Sequence, residues 1–223
     1  MVPQPLHAVL FDLDGTLIDS APDLAGAANL MRASRGLEPL PYEQLRNWSG
    51  MGARGLLQAA FNMTPDHPDY LAYREEYLHT YEANIVRHGT YMFEGVAELI
   101  DLLQAQGVAW GIVTNKFERY AHRLVQLIPA LGSAQVVVGG DTTPEPKPSA
   151  LPMLEAARRL GVVPAQCVYV GDDERDVQAG RAAGMVTVAC TYGYLSSNPN
   201  VHAWNAHAVI AQPSELAEIL QLA

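Results

Sequence analysis

The sequence predicts an α/β protein whose doubly wound parallel sheet is interrupted, directly after its first strand, by an inserted helical domain. From Phe93 onward, short apolar runs typical of buried strands alternate with amphipathic helical patterns. Such alternation favours a parallel sheet with helices on both faces. Between the first strand and about His88 only helical patterns recur. We therefore predict a core domain over 1–17 and 92–223, with a helical domain over 18–91 inserted into it.

The inserted segment is predicted to consist of helices. The first helix is expected to begin at Ser20, a residue type that caps helix N-termini, and to end at Gly36. Further helical patterns cover 42–48, 54–61 and 69–86. The last of these carries four tyrosines at helical spacing, which we interpret as packing between helices: Tyr70, Tyr73, Tyr77 and Tyr81.

The core segment predicts strands and helices in succession. An apolar run ending near Phe11 predicts the first, buried strand. Later apolar runs predict strands over 108–113, 134–138, 167–170, 186–190 and 208–210. The amphipathic stretches between them predict helices over 95–106, 118–131, 149–160 and 176–183, and a last helix capped by Ser214.

Composition argues against several classes of function. Acidic residues outnumber basic ones by 24 to 14, giving a net charge of −10, which disfavours binding to nucleic acid or to an anionic membrane surface. Cys167 and Cys190 lie in strand-like runs and are expected to be buried, reduced thiols. No apolar run approaches the ~20 residues of a membrane span, and no signal-peptide pattern is visible. A cytoplasmic protein is expected, as a monomer or a homodimer.

Two carboxylates follow the first strand directly. Side chains two apart on a strand point the same way, so Asp12 and Asp14 are expected to converge on one small volume. Close carboxylates repel unless a cation lies between them. The pair predicts either a metal site or an acid/base pair, and an ordinary Asp-Gly turn is the alternative.

Other polar residues follow later strands of the predicted sheet. Ligands of open parallel sheets bind at the carboxyl ends of the strands, and the fold brings these ends to one edge. Each set also has an ordinary interpretation, as a turn, a solvated cation or a helix cap. The chain has two lysines, and both belong to these sets. The sets are Thr114 and Lys116; Lys147; and Asp172, Asp173 and Asp176.

Together these residues predict phosphoryl-transfer chemistry. Clustered carboxylates that offer only oxygen suit Mg²⁺, which also accepts phosphate oxygens. The metal and Lys147 would supply local positive charge for an anionic substrate in an acidic protein. A carboxylate can serve as the nucleophile and form a covalent intermediate. The expected partner is a small phosphorylated metabolite.

The order of these motifs resembles the haloacid dehalogenase-like superfamily, in its phosphoglycolate-phosphatase-like branch. The resemblance covers essentially the whole chain and implies a Rossmann-like core with a helical cap domain. It also implies an Mg²⁺-dependent hydrolase of phosphomonoesters in carbohydrate metabolism. The motifs that carry it are Asp12-Leu13-Asp14-Gly15-Thr16, Thr114-Asn115-Lys116, Lys147-Pro148 and Gly171-Asp172-Asp173-Glu174-Arg175-Asp176.

The resemblance implies catalytic and phosphate-binding roles. Asp12 would be the nucleophile that becomes an aspartyl phosphate. Asp14 would protonate the leaving alcohol and then activate the hydrolytic water. The transferring phosphoryl group would be bound by Thr114, Asn115 and Lys147.

The resemblance also implies a metal site. Mg²⁺ would be held by Asp12, by the backbone carbonyl of Asp14 and by Asp172. Asp173 and Asp176 would lie behind these ligands and support them.

Two departures from the family pattern bear on rigidity and substrate. Ala150 stands where the third motif usually has a second proline, and Glu94 replaces a proline common in phosphoglycolate phosphatases. The leading substrate is 2-phosphoglycolate, and an amino-sugar phosphate is the alternative. Three segments are similar to N-acetylmuramic acid 6-phosphate phosphatases: 93–95, 49–54, and a tail containing Tyr192-Gly193-Tyr194, Asn198-Pro199-Asn200 and Trp204.

Two cations are candidates for contacting the substrate. Arg54 follows a glycine-containing loop, and both candidate substrates carry a carboxylate that an arginine can grip through two hydrogen bonds. A solvated arginine at a helix start is the alternative. Lys116 is expected near the phosphate or the cap, with a surface position as the alternative.

Two other functions use similar residues. A phosphomutase would return the phosphoryl group from the aspartate to a sugar. A receiver-like signalling protein would also combine an acidic pair, an acceptor aspartate, a threonine and a lysine. In this chain the candidate nucleophile comes first and the acidic cluster last, which argues against the receiver.

Overall fold

The fold of this chain is given by a computed structural model that describes residues 3, 5–195 and 200–222. The chain forms two compact units. One comprises Met1–Ile18 and Met92–Ala223, and the other comprises Asp19–Tyr91. The first unit contains a parallel sheet flanked by helices, and the second is built from helices. The predicted α/β class is confirmed.

The helices and strands are numbered in chain order. The strands are β1 (Ala8–Phe11), β2 (Ile18–Asp19), β3 (Tyr91–Met92), β4 (Ala109–Val113), β5 (Val137–Val138), β6 (Cys167–Gly171), β7 (Val186–Cys190) and β8 (Ala208–Ile210). The α-helices are α1 (Ala21–Ala33), α2 (Tyr42–Arg46), α3 (Gly52–Phe61), α4 (Tyr70–Asn84), α5 (Val96–Ala105), α6 (Glu118–Leu127), α7 (Leu151–Leu160), α8 (Glu174–Ala182) and α9 (Pro213–Leu220).

Within the described ranges, six strands form one sheet in the order β5-β4-β1-β6-β7-β8, and every pair is parallel. Strand β1 is central and fully buried, and Ala8 pairs with Ala109 of β4 on one side and Cys167 of β6 on the other. The chain progresses outward from β1 first in one direction and then in the other. The strand order therefore reverses beside β1, at the kind of crevice where parallel sheets bind ligands.

The helical unit buries most of the tyrosine stripe. Tyr70, Tyr77 and Tyr81 are buried, and the Tyr77 hydroxyl donates a hydrogen bond to the carbonyl of Leu24 on α1. Tyr73 packs edge-on against the ring of Phe61 on α3. These contacts confirm that the stripe packs helices together.

Several local expectations were wrong. The Ser20 side chain does not cap α1; the Asp19 carboxylate accepts the hydrogen bond from the Ala21 N–H instead. Helix α1 ends at Ala33 rather than Gly36. The strand expected over 134–138 is reduced to Val137–Val138, and a 3-10 helix over Pro129–Ser133 precedes it.

The described residues also bear on two expectations from composition. Cys167 and Cys190 are both free and buried, as predicted. Among the helices within 5–195 and 200–222, none has the length and apolar character that a membrane crossing requires.

A buried carboxylate organises the end of the helical unit. Asp23 on α1 is fully buried, and it accepts hydrogen bonds from the backbone N–H groups of Val86 (2.7 Å) and His88 (2.6 Å). The Thr90 hydroxyl donates a further hydrogen bond to the same carboxylate. Asp23 thus fixes the segment that leads from α4 out of the unit.

Replacing Asp23 should destabilise the helical unit. In Asp23→Ala, two backbone N–H groups lose their acceptor, and we expect a loss of about 3 kcal/mol in the free energy of unfolding. Urea denaturation followed by far-ultraviolet circular dichroism measures this. Asp66→Ala, at an exposed position of the same unit, is the matched control and should change stability by less than about 0.5 kcal/mol. Equal stability of the two variants would contradict the proposed anchoring.

Candidate active site

The turn after β1 places the first two acids of the site. The Asp12 N–H donates to the Val170 carbonyl of β6 at 2.9 Å, so the chain stays in the sheet up to this residue. Gly15 then adopts a positive φ of 84°, and its N–H donates to the Ile18 carbonyl at 2.8 Å. A Cβ on Gly15 would lie 2.2 Å from Oδ2 of Asp172. Only glycine allows the turn to approach that carboxylate so closely.

Three carboxylates meet at the carboxyl ends of β1 and β6. Asp12, Asp172 and Asp176 each offer one oxygen, and these oxygens lie within 4.8 Å of one another. Burial, reinforced by the charges of Asp12 and Asp176, raises the pKa of Asp172 well above its usual range. Burial also raises the pKa of Asp176 to about 7, although Lys147 opposes this rise. The cluster can hold a metal ion, which would relieve the repulsion between the carboxylates.

Asp172 is held in place from two sides. The Thr16 hydroxyl donates to Oδ1 at 3.2 Å, and the Tyr194 backbone N–H donates to Oδ2 at 2.7 Å. A Cβ on Gly193 would lie 2.4 Å from Oδ2 of Asp172 and 2.2 Å from the Gly15 carbonyl oxygen. The segment after β7 therefore packs directly onto the carboxylate cluster.

Lys147 is the buried cation of the cluster. Its Nζ lies 2.9 Å from Oδ1 of Asp12 and 2.7 Å from Oδ1 of Asp176. It also donates to the Val113 carbonyl at 3.1 Å and to the Tyr169 hydroxyl at 2.9 Å. Burial disfavours the ammonium, but the two aspartates outweigh that effect and raise the pKa of Lys147 above its ordinary value. Lys147 is therefore charged at neutral pH.

Asn115 fixes the backbone of Lys147. Its side-chain Nδ2 donates to the Lys147 carbonyl at 2.9 Å, and its Oδ1 accepts from the Lys147 N–H at 2.9 Å. This reciprocal pair links the end of β4 to the loop before α7, whose first turn follows Ala150. The side chain of Asn115 thus positions Lys147, and the prediction that Asn115 also binds phosphate stays a prediction.

The segment after β4 brings two more predicted residues to the site. Thr114 is buried, its N–H donates to the Val138 carbonyl, and its hydroxyl accepts from the Lys116 N–H at 3.2 Å. The Nζ of Lys116 lies 3.1 Å from Oδ2 of Asp14. Thr114, Lys116 and Asp14 thus join the carboxylate cluster at one edge of the sheet.

The two acids expected behind the metal ligands occupy different surroundings. Asp176 faces the cluster, where its Oδ1 meets Lys147 and its Oδ2 accepts from the Asp173 N–H at 3.1 Å. Asp173 is the N-cap of α8; its carboxylate accepts from the Arg175 N–H and pairs with both ends of the Arg175 guanidinium. Asp173 therefore stabilises the helix start that carries Asp176.

Arg54 lies in the helical unit, exposed in the first turn of α3. The tail motif that the sequence singled out is divided: Tyr192-Gly193-Tyr194, Asn200 and Trp204 are described, whereas Asn198 and Pro199 lie outside the described residues. Tyr192 packs edge-on against Phe93, with ring centroids 5.1 Å apart. This contact joins two of the three segments noted above for their similarity to N-acetylmuramic acid 6-phosphate phosphatases.

Sequence reasoning missed Tyr169 and Thr16. The Tyr169 hydroxyl lies at the centre of the site, where it donates to the Val113 carbonyl at 2.7 Å and accepts from Lys147. A tyrosine inside an apolar strand is typical of core packing, so the sequence offered no signal for this role. Thr16 was part of a recognised motif, but its bond to Asp172 joins residues 156 positions apart.

The fold, the strand-end acids and the buried lysine define a class of hydrolase. The family model described as haloacid dehalogenase-like hydrolase matches residues 9–190, and the chain belongs to this family.

Individual proteins are similar over nearly the whole chain. A phosphoglycolate phosphatase of Xanthomonas campestris pv. campestris (strain 8004) is 46% identical, over 95% of this chain and 95% of its own. An N-acetylmuramic acid 6-phosphate phosphatase of Pseudomonas aeruginosa PAO1 is 36% identical, over 98% of this chain and 96% of its own. A crystal structure described as a predicted phosphoglycolate phosphatase from Haemophilus somnus 129PT superposes with a TM-score of 0.82 and 26% identity, covering 96% of this chain and 97% of its own.

Proposed function

We propose that this protein is an Mg²⁺-dependent phosphatase that hydrolyses a small phosphomonoester, 2-phosphoglycolate, through an aspartyl-phosphate intermediate. The observation that carries the proposal is the placement of Asp12 at a strand end between a buried ammonium, Lys147, and two further carboxylates. The similar proteins named phosphoglycolate phosphatase support the choice of substrate.

The donor set fits Mg²⁺. Asp12 and Asp172 offer hard carboxylate oxygens, and no sulfur or imidazole ligand belongs to the carboxylate cluster of the described residues. With the backbone carbonyl of Asp14, these two residues would hold the ion, and Asp176 would support them. When bound, Mg²⁺ supplies positive charge beside the phosphoryl oxygens.

The residues of the chain divide the chemistry between two half-reactions. In the first, an Asp12 oxygen forms a bond to phosphorus while the bond from phosphorus to the alcohol oxygen breaks, and Asp14 gives its proton to the departing oxygen. In the second, Asp14 takes a proton from water, the water oxygen attacks phosphorus, and the Asp12–phosphorus bond breaks. Inorganic phosphate leaves, and both aspartates return to their starting states.

In both half-reactions, positively charged or hydrogen-bonding groups must offset the negative charge of the phosphoryl oxygens. The Lys147 ammonium, already 2.9 Å from Asp12, is placed to meet them, and the Thr114 hydroxyl and the backbone of Asn115 lie at the adjoining strand end. Such donors are most effective where burial excludes water and where their positions are fixed in advance. Asn115 and Tyr169 fix Lys147 in this way.

Metal binding should depend on Asp172 and not on Asp173. Mg²⁺ at about 100 times its Kd should raise the free energy of unfolding of the wild type by about 2.7 kcal/mol, because it binds only the folded site. Asp172→Asn should lose this rise, because a ligand charge is removed. Thermal denaturation with and without Mg²⁺ measures the effect.

Asp173→Asn is the matched control, since its carboxylate faces Arg175 rather than the cluster and asparagine also caps helices. It should keep the response to Mg²⁺. An equal response in Asp172→Asn and the wild type would refute the assigned metal site.

Substrate choice is tested by comparing kcat/KM for 2-phosphoglycolate and N-acetylmuramic acid 6-phosphate in the presence of Mg²⁺. We expect at least a tenfold preference for 2-phosphoglycolate, about 1.4 kcal/mol in transition-state binding. Arg54→Gln should raise KM for 2-phosphoglycolate if the arginine forms two hydrogen bonds with its carboxylate, whereas Arg87→Gln, at an exposed position of the same unit, should not.

A preference for the amino sugar would overturn the substrate assignment and direct attention to the contact of Phe93 with Tyr192. A requirement for a sugar bisphosphate activator would indicate a phosphomutase instead.

A further inference from the structure

Each of the chain's two lysines pairs with one acid of the strand-end Asp12/Asp14 pair. Lys147 meets Asp12 at 2.9 Å, and Lys116 meets Asp14 at 3.1 Å. The side chain of Lys116 is only 7% exposed, although lysine side chains are rarely so covered. The first pair serves the proposed nucleophile and the phosphate, whereas the function proposed above gives Lys116 no role.

Both backbone polar groups of Lys116, its N–H and its carbonyl, form hydrogen bonds. Its N–H donates to the Thr114 hydroxyl at 3.2 Å, and its carbonyl accepts from the Gly140 N–H at 2.8 Å. A Cβ on Gly140 would lie 2.3 Å from the Asn115 carbonyl oxygen, so the two strand ends are tightly apposed. The long side chain of Lys116 thus starts from a fixed point and ends at Asp14.

Asp14, the acid of this pair, is more exposed than Asp176, so burial restricts its side chain less. The Asp14 side chain is 19% exposed, whereas that of Asp176 is 1% exposed. A carboxylate on a turn at the mouth of a site has several rotamers available unless a partner selects one. Lys116 is such a partner, because its ammonium grips Oδ2.

We propose that Lys116 is a positioning residue for Asp14, which holds the carboxyl group in the orientation that proton exchange with the leaving alcohol and the hydrolytic water requires. This inference rests on the proposed function. With Oδ2 paired to Lys116, the proton of both half-reactions is exchanged at Oδ1. From the sequence alone, Lys116 was a candidate substrate contact. Its ion pair with Asp14 favours the positioning role instead.

The test uses two substrates that differ in their need for an acid. The alkoxide of 2-phosphoglycolate must be protonated as it leaves, whereas the nitrophenolate of p-nitrophenyl phosphate leaves as a stable anion. A general acid contributes about 10²–10⁴-fold, and a misplacement of about 1 Å costs about 10²-fold. In Lys116→Met we expect kcat/KM to fall about 10- to 100-fold for 2-phosphoglycolate and less than about threefold for p-nitrophenyl phosphate.

The comparison is made in kcat/KM because this parameter reports only the steps up to phosphoryl transfer to the enzyme. Asp14 also serves the later hydrolysis, so kcat alone would fall for both substrates. A double-mutant cycle supplies the second readout. Adding Lys116→Met to Asp14→Asn should lower kcat/KM for 2-phosphoglycolate by less than about twofold, because the group that Lys116 positions is already disabled.

Two outcomes would overturn the inference. Parallel losses of kcat/KM on both substrates, persisting in the Asp14→Asn background, would indicate a structural or phosphate-binding role. A rise in KM for 2-phosphoglycolate with kcat unchanged would indicate a direct contact with the substrate carboxylate. A wild type that releases phosphate from neither substrate would refute the proposed function itself, which separates that failure from a failure of the role of Lys116.

Discussion

Repulsion among buried carboxylates is the constraint on which the site depends. One oxygen each of Asp12, Asp172 and Asp176 lies within 4.8 Å of the others, and burial disfavours the charged forms of Asp172 and Asp176. The Lys147 ammonium compensates two of them directly. One lysine cannot neutralise three acids, so the arrangement is suited to take up a further cation. A phosphoryl group can then be bound by that cation and the ammonium together, although the protein as a whole is acidic.

The fold makes this arrangement possible by fixing its members on a rigid frame. Strand β1 is central in the sheet, and its neighbours β4 and β6 end beside it. Gly15 and Gly193 then let two backbone segments approach Asp172 more closely than any side chain would permit. The Tyr169 hydroxyl accepts a hydrogen bond from Nζ of Lys147, and the Asn115 side chain donates to the Lys147 backbone carbonyl. The positions of Asp172 and Lys147 are therefore set by folding rather than by substrate binding.

The sequence allowed the fold class and the meeting of four strand ends to be predicted, because both follow from local patterns and from the topology of parallel sheets. It could not show which way a side chain turns at a strand end. Asp173 and Asp176 looked equivalent, yet one caps α8 while the other meets Lys147. The pairing of Lys116 with Asp14 joins residues far apart in the chain, and Ser20 lost its cap role to its neighbour Asp19. These outcomes depend on tertiary packing, which local propensity does not encode.

The most direct measurement is to trap the covalent intermediate at residue 12. The protein is quenched during turnover of 2-phosphoglycolate with Mg²⁺, and borodeuteride then reduces any aspartyl phosphate to deuterated homoserine, which peptide mass spectrometry locates. We expect the label at Asp12 of the wild type and none in Asp12→Asn, because the Asp12 oxygen is the group that attacks phosphorus. A label on a different aspartate, or steady turnover with no labelled aspartate, would contradict the assignment of Asp12 as the nucleophile.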